Sequence, residues 1–292
     1  MRDSAQIGAG AQGGLTGESD FRVLGRNMRR LFVLSCFLVA IMGAPLFLWP
    51  TETERNFAWT IRPPVTAAFM GAGYWGSFFV VLLALRERVW ANARIGLPFA
   101  VAFAFLMLFA TLAHLDRFHF GAAFSPAAQF MTWTWLAVYV VVPLLQTALI
   151  IGLYRSPGAD PPIQAPMHPV YRAILGASGG LLVLLGVALV VTPLAAAGAF
   201  WPWMLTPLTA RAVGAWLVAW GIVTGQIAFE GDRRRARPGY AGLAAFGVLT
   251  LVTVARFTDA LRWQEPRAIV FTAAAAALVA IGVAGLLRQS RR

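Results

Sequence analysis

Eight apolar runs, each of about 20 residues and separated by short charged segments, constrain this chain more than any other feature. They cover residues 31–50, 64–85, 95–115, 128–153, 173–199, 204–229, 240–257 and 268–287. A helix rises about 1.5 Å per residue, so such a run crosses the ~30 Å of bilayer hydrocarbon. Strands are a poor alternative. Lipid offers no partner to an open sheet edge, and the chain has no alternating segments of about ten residues. Composition agrees, because 59% of the residues are hydrophobic and only 12% are charged, about half the charge of a typical soluble domain. The expected fold is an all-α integral membrane protein with eight transmembrane helices.

The net charge of +12 is a matter of topology rather than of nucleic-acid binding, because the basic residues lie in loops and never form a stripe on a soluble module. All 24 basic residues are Arg, which with the Ala, Gly and Pro content fits a high-GC bacterial source. Seventeen of them fall in the N-terminal segment, the loops after runs two, four and six, and the C-terminus, against six in the alternate loops. The positive-inside rule then puts both termini in the cytoplasm of a bacterial cytoplasmic membrane. The single Cys36 excludes a disulfide framework within one chain. Residues 1–28 are polar and Gly-rich and read as a disordered tail. Run one lies deep in the chain and lacks a small-residue cleavage motif, so it reads as a retained helix rather than a signal peptide.

The chain also matches itself. With an offset of 143 and no gap, residues 29–116 agree with 172–259 at about one position in four, where chance for this composition is roughly one in twelve. The matches include Pro50/Pro193, Phe57/Phe200, Pro64/Pro207, Thr66/Thr209, Gly71/Gly214, Arg94/Arg237, Gly96/Gly239, Phe103/Phe246 and Asp116/Asp259. A repeat of four spans crosses the membrane an even number of times, so the expected arrangement is two parallel four-helix repeats, 29–155 and 172–292, about an axis along the membrane normal. A Pro-rich linker at 156–171 joins them.

The strings at 57–75 (FAWTIRPPVTAAFMGAGYW), 114–119 (HLDRFH) and 201–216 (WPWMLTPLTARAVGAW) carry a further likeness. The chain resembles an uncharacterised family of multi-spanning membrane proteins from high-GC bacteria. That resemblance implies a membrane fold and brings no activity, cofactor or site residue.

Nucleotide-binding, zinc-protease, dithiol and serine-hydrolase signatures are missing, so an enzyme is not expected and no cofactor is called for. The candidate binding residues are His114, Asp116, His119, Asp259 and Arg211. Two imidazoles and a carboxylate near the end of run three either bind a metal or relay protons, or form a hydrogen-bonded interfacial cap. Arg211 lies inside run six, where an ionisable group either has a partner or snorkels to the headgroups. The expected partner is the carboxylate of Asp116 or Asp259. Trp49, Phe57, Trp59, Phe118, Phe120, Phe200, Trp201, Trp203 and Trp263 read as an aromatic belt at the membrane interface. The expected function is a non-enzymatic membrane component in contact with the bilayer. Its small-residue face at Gly71, Gly73 and Gly76 would suit a membrane-protein partner. The alternative is a transporter with a path between the repeats.

Overall fold

The structure, a computed structural model, describes residues 21–288, and within them the chain is helical with only isolated β-bridges. The principal helices are α1 (Arg26–Leu48), α2 (Pro64–Arg86), α3 (Leu97–Leu112), α4 (Pro126–Tyr154), α5 (Pro169–Val191), α6 (Pro193–Phe200), α7 (Pro207–Glu230), α8 (Arg237–Arg256) and α9 (Pro266–Leu287). Seven of them are long and apolar enough to cross a membrane, and the expected third span is shorter, at 16 residues. Gly96, at φ 99, turns the chain into α3, and Ala113 closes it. Residues 1–20 of the expected tail lie outside the described residues. Residues 21–28 are ordered earlier than expected. The Leu24 N–H donates to Arg88 O at 2.8 Å, and α1 begins at Arg26.

Proline sets most helix starts. It stands in the first turn of α2 through α9, where its missing N–H has no intrahelical partner to lose. The same chemistry breaks the expected run at 173–199. Pro193 cannot donate back into the preceding turn, so α5 stops at Val191 and α6 starts anew. Element bounds recur at a constant spacing: α1 and α5 lie 143 residues apart at both ends, as do the 3₁₀ turns Leu115–Arg117 and Thr258–Ala260, while α2 and α7 share that spacing at their starts.

The helices form two interlocked rows. In one, α1 packs on α2, α2 on α8 and α8 on α9, and in the other, α5 packs on α7, α7 on α3 and α3 on α4. Helices α3 and α8 therefore lie against α7 and α2, partners far from them along the chain. Burial follows that order: 78% of the apolar stretch of α7 is enclosed, against 17% in α9. The outer helices turn Leu184, Leu144, Phe130 and Val270 outward, the surface expected of lipid contact rather than of water.

The glycine face of α2 does not await a partner. A side chain at Gly71 would meet Phe47, one at Gly73 would meet the Trp216 ring, and one at Gly76 would meet Trp220 and Phe246. The protein's own helices fill that face, which corrects its reading as a docking surface. The aromatic belt is corrected in the same way. Phe57, Trp59, Phe118, Trp201 and Trp203 are buried, and Trp59 sits 4.8 Å edge-on from Trp135. Only Trp49 and Trp263 of that set are exposed, because Phe57 and Phe118 pack on Trp59, and Trp201 and Trp203 pack on Phe69 and Phe271.

Candidate functional site

The loops at 49–63, 113–125, 201–206 and 257–265 meet on one face of the bundle, through His119 N–H to Ala58 O (2.9 Å) and Arg262 N–H to Pro202 O (3.3 Å). Here the structure separates the five candidate residues. His119 is 2% exposed and pinned on both ring nitrogens. Its Nδ1 lies 2.9 Å from Phe57 O and its Nε2 lies 3.1 Å from the Thr60 hydroxyl. A carbonyl only accepts, so Nδ1 carries the proton and Nε2 accepts from Thr60. The ring also stacks on Phe124 at 4.1 Å. This is a clamp on the 57–60 loop.

His114 meets Arg211. The Arg211 Nη1 donates to His114 Nε2 at 2.6 Å, and its guanidinium lies 6.0 Å above the Phe109 ring. The carboxylate partner expected for Arg211 is thus replaced by an imidazole. The reason is packing: α3 lies along α7 and delivers His114 to Arg211. Asp116 is 69% exposed and pairs with its neighbour Arg117 at 3.0 Å. Asp259 follows α8, which belongs to the other row, and lines a separate polar cleft of about 870 Å³ with Glu54, Thr60, Arg62 and Arg262. Among the described residues no three His, Cys, Asp or Glu side chains are grouped to hold a metal.

Both loop histidines titrate below the ordinary imidazole value. Burial lowers the pKa of His114 and the Arg211 charge lowers it further, and burial lowers that of His119 against a hydrogen bond to Phe57. A native pKa below the unfolded value of 6.5 means that the unfolded chain binds protons first as pH falls. The stability these rings contribute is therefore complete above pH 6.5 and is lost as pH drops through the lowered native values. Melting of the purified protein is expected to fall steadily from pH 7 to pH 5. The double variant His114→Gln/His119→Gln should flatten that profile, and an unchanged slope would remove these rings as its cause.

The opposite face holds a site that sequence reasoning missed. Glu230, ending α7 with 3% of its side chain exposed, accepts a forked pair from Arg94, Nε at 2.5 Å and Nη2 at 2.7 Å. It also accepts from Arg235 Nη1 at 3.1 Å. Arg94 reaches Asp160 as well. Asp232 takes the backbone N–H groups of Gln164 and Arg234, both at 2.8 Å. The Pro-rich linker is thereby fastened to the 230–236 turn, further tied by Met167 N–H to Gly231 O at 2.9 Å. An acidic residue closing an apolar run beside an Arg cluster was the available signal, but those Arg residues read equally well as topology determinants.

Between the two faces the interior is aromatic. Phe103 lies 4.0 Å from Trp216, Trp220 stacks on Phe246 at 4.7 Å, and Tyr74 meets Trp216 edge-on at 4.9 Å. The chain matches no family model, no curated protein and no solved structure.

Proposed function

We propose that this chain is a non-enzymatic component of a bacterial cytoplasmic membrane, made of two parallel four-helix repeats with both termini in the cytoplasm. The observation that carries the non-transport reading is the closed seam between the rows, where Gly73 lies against Trp216 and Gly76 against Trp220. A solute path at that seam requires polar lining, and rings occupy it instead. The duplication is supported by more than the recurring bounds. Arg29 Nη1 donates to Leu85 O at 2.8 Å and Arg172 Nε to Ala228 O at 2.9 Å, donors and acceptors each 143 residues apart. Each Arg ties the start of its helix, α1 or α5, to a carbonyl near the end of the helix packed on it, α2 or α7, a favourable place for a cation. The 16-residue α3 serves as the eighth crossing in this reading, since it packs on α7 and α4 and meets less lipid than the outer helices. The Arg asymmetry supports the orientation.

The transporter reading draws on one observation, the open cleft beside Asp259. Thiol access separates the two. Cysteines placed singly at Ala72 and Ala219, both 0% exposed, in a Cys36→Ala background are expected to resist a membrane-impermeant maleimide applied to either side of sealed vesicles. Cysteine at the loop residue Gly121 serves as the reactive control. Labelling of either core position from one side, at a rate near that of the control, would replace the scaffold reading with alternating access.

A further inference from the structure

A crevice opens between α1 and α4, which barely touch because they belong to different rows, with α2 and α3 as its back wall. Its lining is almost wholly apolar and carries no charged residue. It runs from Leu31 on α1 to a floor of Tyr74, Phe103 and Trp216. Gln146 of α4 lines it with 5% of its surface exposed, and its carboxamide Oε1 is buried without a hydrogen-bond donor. A buried acceptor without a donor is costly, and a donor entering the crevice would relieve that cost.

The second half has the corresponding crevice, lined by Leu182, Leu185 and Phe246 where the first has Val39, Met42 and Phe103. There the positions matching Tyr74 and Ser77 are Leu217 and Trp220, and the lining includes Thr250 and the charged Arg267. An uncharged lining with a buried carboxamide therefore belongs to the crevice between α1 and α4, whereas Arg267 gives the other a charge.

We propose that this crevice binds an uncharged long-chain lipid alcohol from the bilayer, its hydroxyl donating to Gln146 Oε1 and its chain lying along α1 toward the aromatic floor. The chemistry selects among lipids. A charged headgroup finds no counter-ion in this lining and is costly at depth. A quinone or ester carbonyl only accepts, and leaves Gln146 Oε1 unpaired. An alkane satisfies the walls but not the acceptor. A hydroxyl donates, and the gap between α1 and α4 admits it sideways from the membrane.

The test uses the full chain in nanodiscs with a diazirine-bearing hexadecanol, cross-linked peptides being mapped by mass spectrometry. Saturable labelling on α1 and α4 is expected, displaced by hexadecanol and not by hexadecane, hexadecanoate or a methyl ester of the same length. Gln146→Leu should weaken labelling about fivefold, the worth of one net hydrogen bond. Equal displacement by alkane or ester, or unsaturable labelling of all the outer helices, would overturn the proposal. The displacement series needs only the natural protein, so it decides the matter even if the Gln146 variant folds poorly. None of these outcomes depends on the seam between the rows being closed.

Discussion

Glu230→Ala is expected to lower the stability of the purified protein by about 3 to 5 kcal/mol, the range for removing one partner of a buried ion pair. The size follows from what is left behind. Arg94 and Arg235 keep 14% and 8% side-chain exposure, and both point at the Glu230 carboxylate. Without it, two guanidinium groups lose their charge-assisted bonds in a place where water cannot replace them. Arg94 retains Asp160 and Arg235 retains the Pro161 carbonyl, so the loss stays within that range rather than doubling. Glu230→Gln keeps the shape and one acceptor oxygen and should cost less. The check is denaturant unfolding in mild detergent, with protease cleavage of the 156–168 linker as a second readout, since the same cluster fastens that segment. A loss below about 1 kcal/mol with the linker still protected would mean that the network contributes little beyond offsetting its own desolvation.

Gly214→Leu is expected to be of comparable severity, about 3 kcal/mol, at the upper end for overpacking. Helices α5 and α7 touch backbone to backbone at two places seven residues apart. A Cβ at Gly214 would lie 2.6 Å from Gly186 O, and one at Gly221 would lie 2.7 Å from Gly179 O. The obstruction in each case is a carbonyl in a hydrogen-bonded helix and cannot rotate aside as a side chain can. The two helices must separate along the whole seam, giving up the close approach that drives association where lipid is as apolar as leucine. Gly180→Ala and Gly225→Ala are the controls. Nothing lies within 4 Å of a Cβ at either position, and alanine favours helix over glycine by about 1 kcal/mol. They should be neutral or stabilising. If Gly214→Leu melts with those controls, the seam is looser than its geometry requires.

Arg211 illustrates why the candidate site was only partly legible. Its depth in an apolar run announced that it needs a partner, and the structure supplies one. Choosing a carboxylate was the natural inference from charge alone, but both aspartates sit on 3₁₀ turns that carry them elsewhere. His114 was among the candidates for a different reason, metal ligation, and it is α3 lying along α7 that makes it the partner of Arg211. Its neighbour His119 failed as a ligand for a reason equally invisible in one dimension, since both of its nitrogens are occupied by a loop 60 residues earlier in the chain.

What the sequence by itself determined was much of what depends on neighbours along the chain, although the break at Pro193 inside the run at 173–199 was missed. Run length located the apolar helices, and the 143-residue offset anticipated the recurrence of element bounds. These are local matters, because a helix closes its own hydrogen bonds and a proline ends or begins one wherever it stands. Only the tertiary structure decided which helices became neighbours: that α3 crosses to α7 and α8 to α2, that the glycine face of α2 is filled from within, and that the linker is held by Glu230 and Asp232. The physical reason is that apolar faces in a bilayer carry little preference for one another. The choice of neighbour then rests on shape at a few glycines and on the placement of a few buried charges, and neither has a periodicity to read.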